Sequence, residues 1–383
     1  MNVTVVGGKG KLGSVMAEHI SHFYPTRIAD RAGGEATAVA TKDADIVLVI
    51  VNTPSLPDGQ YDVSNVIEAC AEIDVSRWRL VMVSSTVNPG DVEGPIKDAL
   101  ERDGKLAHWD FGLAYLPEFV RQGSVLQDFA HPAFVIAGAL TQLEYATLTE
   151  FYETVCSKHP TFMSIQSAEI AKIGLNTMLT AKLGKANEIA WLCQRTPGAD
   201  AKDVLGAIGQ DPRIGYLYLN AGPPPGGPCL PRDDRAFSYA FQGKIGLSNT
   251  IAPAVTEWSR RQIVLMAKTV LDEKRGRKIG VAGLSFKPGI SDDTESAAVL
   301  LADTLGAGTE TYDPVLPCTC ASLEELVSKC DVIVLACPFD GVVMLHNIDL
   351  TGKTVWDWWG MIADGQGAFR GHYHRFGEGR EAC

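Results

Sequence analysis

The sequence has no apolar run long enough to cross a bilayer; its longest, residues 46–51, falls far short of the roughly 20 a spanning helix needs. It has no signal-peptide pattern either, since Met1 leads straight into Val3-Thr-Val-Val6. A cytoplasmic protein with no membrane partner is expected. An excess of basic residues is also missing: 34 Lys and Arg face 46 Asp and Glu, a formal net charge of −12. That balance argues against nucleic acid as a partner and leaves room for a local basic site that binds a small anion. Paired-cysteine motifs are absent as well. The nine cysteines (70, 156, 193, 229, 318, 320, 330, 337 and 383) are scattered over a long chain, which suits a reducing compartment rather than a disulfide framework. Cys318 and Cys320 lie two apart with no second pair at a ligand spacing, so no metal site is expected. Nor is there a short repeat, or any low-complexity stretch beyond the Pro/Gly loop at 222–228.

What is present is ordinary globular material, 46% hydrophobic and 21% charged over 383 residues, enough for two or three cores. Short apolar runs at 3–6, 27–29, 46–51, 80–83 and 134–137 alternate with helical stretches, a pattern that predicts a parallel sheet. From about 166 to 270 the strands disappear. Helical periodicity takes over at 168–193, 201–208 and 251–271. The strand alternation returns at 278–284, 309–312, 331–336 and 354–356. The reading is an α/β chain in which two Rossmann-like parallel-sheet domains, 1–157 and 273–383, are joined by an all-helical central domain, 158–272.

Gly8-Lys-Gly-Lys-Leu-Gly13 follows the first strand directly and opens a helix, and an acid, Asp30, closes the next strand 22 positions after Gly8. That context turns a weak G-x-G-x-x-G match into a dinucleotide fingerprint. Gly8 is expected to permit the turn, Gly10 to let backbone approach a pyrophosphate at the helix N-terminus, and Gly13 to let helix and strand pack closely. Asp30 would accept hydrogen bonds from the adenosine ribose and repel a 2′-phosphate, which favours NAD over NADP, with Arg31 as a partial counterweight.

Pro223-Pro-Pro-Gly-Gly-Pro-Cys-Leu-Pro-Arg-Asp-Asp234 puts Cys229 where little apolar packing is on offer. It reads either as an incidental loop cysteine or as an exposed nucleophile with backbone N–H groups nearby and Asp233 one helical turn on. Lys172 and Asn176, four apart in an otherwise apolar helical segment, project from one face and read as pocket-lining residues or as a solvated stripe.

Taken together these segments resemble the UDP-glucose/GDP-mannose dehydrogenase family. Asp211-Pro-Arg-Ile-Gly215 through Gly226-Gly-Pro-Cys-Leu-Pro-Arg-Asp233 is similar to its cysteine signature. Ser85-Thr-Val87, Leu116-Pro-Glu-Phe-Val-Arg-Gln-Gly123, the Lys172/Asn176 helix, Gly283-Leu-Ser-Phe-Lys287 and Tyr312-Asp-Pro314 follow in the family's order. The resemblance implies two-step oxidation of a primary alcohol to a carboxylate by NAD, a homodimer joined through the central helices, and a small-molecule nucleotide-sugar substrate. It implies that Cys229 attacks the aldehyde to form a thiohemiacetal and then a thioester, and that Lys172 and Asn176 stabilise the oxyanion. Asp233 and Thr86 would position water and relay protons, with Glu118 as general base. It further implies cofactor contacts from Lys11, Leu12, Thr53 and Thr86, and substrate contacts from Phe119, Val120, Gly226, Gly227, Lys287 and, across the dimer, Arg213.

Three positions depart from the pattern. Gln122 stands for a second glutamate, Thr294 for an arginine, and Trp359, in Asp357-Trp-Trp359, for another arginine. Losing two cations weakens complementarity to a diphosphate, while Trp358 and Trp359 offer aromatic surface. UDP-glucose is the simplest substrate on this reading; a less phosphorylated nucleoside, nucleotide or sugar bearing a hydroxymethyl group is the alternative, with Arg370 as a possible substitute clamp. A redox-inactive binding protein of the same fold would have no use for Cys229 and its companions.

Overall fold

A computed structural model describes residues 1–248, 251–273, 276–362 and 371–379. Arg370 and Cys383 lie outside the described residues. The chain divides into two compact units, Met1–Leu175 with Arg235–Leu247, and Asn176–Asp234 with Ser248–Cys383.

The first unit is built on β1 (Val3–Val6), β2 (Thr26–Ala29), β3 (Ile46–Val49), β4 (Leu80–Val83), β5 (Gly112–Tyr115), β6 (Ile136–Gly138) and β7 (Thr161–Met163), in the order β2-β1-β3-β4-β5-β6-β7. Four central strands, β1, β3, β4 and β5, are buried along their whole length, as parallel strands covered on both faces must be. Alternate residues go to opposite cores. Val47, Val49, Val81 and Val83 pack under α2 (Thr37–Ala40), α3 (Ser64–Ala71) and α4 (Lys97–Leu100). Ile46, Leu48, Leu80 and Met82 pack under α1 (Gly13–Ser21), α5 (Val125–Ala130) and α6 (Gln142–Cys156). The expected all-parallel sheet is corrected at one seam, because β5 and β6 meet antiparallel through the single pair Tyr115 and Gly138.

No strand falls between β7 and β8 among the described residues, as the loss of strand pattern foretold. This stretch holds α7 (Ile165–Gln194), α8 (Ala201–Gly209), α9 (Leu230–Ile245) and α10 (Ala252–Asp272). The division between the units falls within α7 and α9. The second unit's sheet is wholly parallel: β8 (Ile279–Ala282), β9 (Glu310–Tyr312), β10 (Val332–Leu335), β11 (Thr354–Asp357) and β12 (His372–Arg375), in the order β12-β11-β10-β8-β9. Its faces are covered by α10 and α11 (Ala297–Leu305) on one side and α12 (Leu323–Lys329) on the other. No helix among the described residues is long and apolar enough to cross a membrane.

One polar knot braces the first unit. Glu144, with no exposed surface, caps α6 through the backbone N–H groups of Leu140 and Thr141, both at 2.8 Å, and accepts from Leu113 N at 3.0 Å. His108 joins it, with Nδ1 2.6 Å from Glu144 and Nε2 2.8 Å from Glu93. Burial pulls the imidazole pKa down, but the hydrogen bonds and charges of the two glutamates outweigh it, and the net shift is upward. A histidine raised in the folded state stabilises fully below its unfolded pKa, near 6.5, and loses that contribution as pH rises through the folded value. His108→Gln is therefore expected to cost about 2 kcal/mol at pH 6 and less at pH 9. Urea unfolding of both proteins at the two pH values measures this, and a cost that grows with pH contradicts the assignment.

Candidate functional site

The glycine loop closes tightly between β1 and α1. The left-handed residue is Gly7 (φ 87°), one position before the glycine expected to make the turn, and a side chain there would run into the carbonyl of Ile50. A side chain at Gly13 would meet the carbonyl of Gly7, so this glycine allows the start of α1 to lie against the loop as expected. Beside the loop a cavity of about 250 Å³ is lined by Gly7, Gly10, Asp30, Arg31, Asn52 and Glu72, among others. Asp30 is oriented by its own loop, accepting from Lys9 N at 2.9 Å and Ala32 N at 2.8 Å. Arg31 pairs with Glu68 at 2.5 Å, which ties down the cation expected to counter Asp30. With Glu72 as a second acid on the wall, the cavity suits a ribose diol and opposes a 2′-phosphate. Thr53 is buried just beyond Asn52, while Lys11 is exposed at the head of α1 and Leu12 half-buried.

Two loops after β4 and β5 carry the next group. Thr86 follows Ser85, whose hydroxyl accepts from Val51 N at 2.8 Å and donates to Val51 O at 2.9 Å. The chain after β5 brings Glu118, Phe119 and Val120 to a cavity of about 270 Å³ that Phe134 and Tyr152 also line. Lys172, on α7, donates to the carbonyl of Glu118 at 2.6 Å, and its ammonium lies 5.1 Å from the Phe119 ring centroid. The Glu118 carboxyl has one oxygen buried without a hydrogen-bond partner. Burial pushes its pKa up to about 7 against the opposing pull of the Lys172 charge, which places a proton acceptor in the neutral range.

The second unit holds the cysteine. Cys229 is exposed at the head of α9, where the positive end of the helix favours negative charge. Asp233 N donates to Cys229 O at 2.9 Å, so the two residues share the first turn as expected. Asp233 is 1% exposed and accepts from Asn176 Nδ2 at 2.7 Å. Next to it, Asp234 accepts from Thr180 Oγ1 at 2.8 Å. The glycines before the cysteine allow close backbone approach, and what approaches is this unit's own 286–296 segment: Gly227 N donates to Thr294 O at 2.9 Å, and a side chain at Gly226 would meet Glu295 O. Lys287 sits half-buried on that same segment.

Arg213 is exposed and engaged with Asp211 in its own turn, Nη2 to Oδ2 at 2.5 Å. Thr294 gives its hydroxyl to Asp292 at 2.6 Å. Gln122 is half-buried on the Glu118 loop. The expectation that Trp358 offers aromatic surface is corrected: it is 1% exposed, stacked on Trp356 at 5.5 Å inside the core. Trp359 is 36% exposed, with its indole N–H held by Ala336 O at 2.7 Å, and lines a cavity of about 430 Å³ with Tyr216 and Asn220. Residues that sequence reasoning passed over include Gly7, Ser85, Asp234 and the buried Glu169. Only Glu169 left a signal, standing three residues before Lys172 on the same helical face.

Comparison with known proteins gives these features a context. Residues 30–156 match the NAD binding domain of the UDP-glucose/GDP-mannose dehydrogenase family, and residues 166–259 its central domain. A UDP-glucose 6-dehydrogenase of Pseudomonas aeruginosa is 32% identical over 79% of this chain and 68% of its own length. That of Rickettsia bellii is 31% identical over 72% of this chain, which spans 64% of the relative. The solved UDP-glucose dehydrogenase of Pyrobaculum islandicum superposes with a TM-score of 0.83 at 28% identity, covering 97% of this chain and 96% of that one. The cofactor that fits the glycine loop is accordingly NAD.

If Asp30 accepts from the ribose, Asp30→Ala removes that acceptor and the charge that repels a 2′-phosphate together. The NAD to NADP ratio of kcat/KM is expected to fall at least tenfold; an unchanged ratio places Asp30 away from the ribose.

Proposed function

Since this chain belongs to the UDP-glucose/GDP-mannose dehydrogenase family, we propose that it oxidises the primary alcohol of a nucleotide sugar of the UDP-glucose type to a carboxylate through Cys229. The observation that carries the reading is an exposed cysteine at the head of a helix whose next turn presents an aspartate oriented by Asn176. NAD, when bound, accepts hydride in each of two oxidations.

The first oxidation converts the carbinol to an aldehyde and releases a proton. The sulfur of Cys229 adds to the aldehyde carbon, and the new C–S bond gives a thiohemiacetal. Loss of a second hydride and the hydroxyl proton leaves a thioester. Water then adds to the thioester carbonyl, the C–S bond breaks, and carboxylate and thiol are released. Overall one alcohol, one water and two NAD give one carboxylate, two NADH and three protons. Lys172 and Asn176 supply a cation and an N–H donor to the oxyanions, Thr86 and Asp233 orient the water, and Glu118 takes its proton. Arg213 and Lys287 serve the nucleotide part of the substrate. Exposed apolar side chains on the central helices, among them Met178 (71%), Leu192 (70%) and Val264 (59%), support a homodimer formed there, with 1–157, 158–272 and 273–383 acting as three functional segments.

A second reading keeps the chemistry and changes the substrate. Thr294 spends its hydroxyl on Asp292, and Trp359 spends its N–H on Ala336, so neither offers a donor to a phosphate. That favours a less phosphorylated hydroxymethyl compound. Calorimetric titration with UDP, UMP and uridine separates the two: tight, salt-sensitive binding of UDP alone restores UDP-glucose, and comparable binding of all three selects the second reading.

Cys229→Ala is expected to abolish carboxylate formation, and Cys229→Ser to retain a slow ester detectable by intact mass. Near-normal carboxylate production by Cys229→Ala sinks the mechanism. For the base, hydrolysis of the thioester should rise with pH through about 7 and level off above it, following the Glu118 carboxyl as it ionises. Glu118→Gln should lower this rate about a hundredfold and flatten the profile. A single-turnover pH series reads both.

A further inference from the structure

We infer that Glu169 is a positioning residue for Thr86, acting by clasping the backbone that leads away from it. Glu169 lies on α7 with no exposed surface, yet it touches neither Glu118 nor Lys172 through any hydrogen bond among the described residues. Its two oxygens are spent on two backbone groups: Oε2 accepts from Gly90 N at 2.7 Å, and Oε1 from Val92 N at 2.9 Å. Both lie on the chain that follows Thr86.

The loop 84–92 is thereby held at both ends. Upstream, the paired Ser85 and Val51 hydrogen bonds tie it to the end of β3. In the middle, Asn88 exchanges hydrogen bonds with the Tyr61 backbone at 2.9 and 3.0 Å and donates to Asp91 at 2.7 Å. Downstream, Gly90 turns through a φ of 107° to aim its N–H at Glu169. Thr86 occupies the short span between the first and second anchors. Without the carboxylate, two interior N–H groups lose their acceptor, and the segment must move to find water.

The spacing along α7 extends the point. Glu169 and Lys172 are one turn apart, so a single face of the helix holds the Thr86 loop with one side chain and the Glu118 loop with the next. Two loops from different strands thus take their positions from one rigid element. Burial raises the Glu169 carboxyl to about 7; the N–H groups of Val92 and Gly90 pull it down, the charge of Asp91 adds to the rise, and Lys244 on α9 opposes it. A carboxylate accepts from both N–H groups, whereas the neutral acid keeps a single good acceptor. The clasp therefore has two points above about pH 7 and one below it.

What Thr86 does once positioned rests on the proposed mechanism, so the test has one arm that needs no turnover. In the first, amide hydrogen exchange of residues 86–92 is followed at pH 6 and pH 8 after correction for the intrinsic rate. Wild-type exchange should be at least fivefold slower at pH 8, and Glu169→Gln should exchange about tenfold faster than wild type with no pH dependence. Glu169→Asp, which keeps the charge on a shorter arm, should fall between them. In the second, each protein is mixed with NAD and UDP-glucose and followed by NADH release and intact mass. Glu169→Gln should keep its NADH burst and retain the acyl group on Cys229, because the step that needs an oriented water is slowed. Wild-type exchange independent of pH, or exchange unaltered in Glu169→Gln, overturns the clasp. Absence of any acyl group in wild type refutes the proposed mechanism and leaves the exchange result to decide the clasp.

Discussion

A helix that buries polar side chains must give each of them a partner, and α7 meets that requirement in a way that organises the loops around it. Glu169, Lys172, Asn176, Thr180 and Asn187 recur at intervals of three, four, four and seven, which at 100° per residue keeps all five on one stripe. Each one holds another segment. Glu169 holds Gly90 and Val92, Lys172 the carbonyl of Glu118, Asn176 Asp233, Thr180 Asp234, and Asn187 both Gly222 N and Gln262. A buried donor or acceptor left without its partner costs about 1–3 kcal/mol. The bonds that position these segments therefore include those that position Glu118 and Asp233, two of the candidate site residues.

Two candidate carboxyl groups, one in each unit, are held in different ways. Asp233 is given a donor, the Asn176 amide, and is held as an acceptor in the first turn of α9. Glu118 is buried with an oxygen that lacks a partner, and what Lys172 grips is its main-chain carbonyl. The lysine thus sets the position of the loop, and although its charge pulls the carboxyl pKa down, burial outweighs that pull and raises the group to about 7. A direct Lys172 to carboxylate bond would have held the group ionised and less basic. Backbone contact preserves its usefulness.

Much of this was legible in the sequence because it follows short-range rules. Strand alternation located most strands of both sheets, the glycine loop marked the start of α1, and the spacing of Lys172 and Asn176 identified one helical face. What escaped was short, polar or set by contacts distant in sequence. The strands β7 and β12 are only three and four residues long, β12 with polar ends, and β5 reads Gly-Leu-Ala-Tyr, with a glycine that lowers any strand signal. The antiparallel seam between β5 and β6 depends on the path of the intervening chain. The partners of Glu169 could not be read from its place on a helix; only the folded chain brings Gly90 and Val92 to it across more than seventy positions.

The altered Asp357-Trp-Trp359 stretch shows where packing limits specificity. Asp357, at the end of β11, has no exposed surface and accepts from Trp359 N, Ile362 N and the Tyr373 hydroxyl, so it closes the strand. Trp358 fills the core between Trp356, Trp191 and Phe376, and a small residue in its place would leave a void. Truncations of that size cost about 3–5 kcal/mol. Of the two, only Trp359 is partly exposed, its ring held by one hydrogen bond to Ala336 O. The departure from the family pattern is therefore two changes of different kinds. One tryptophan belongs to the core and cannot be removed cheaply, while the other is a partly exposed ring on the wall of a cavity, where a change costs the fold little.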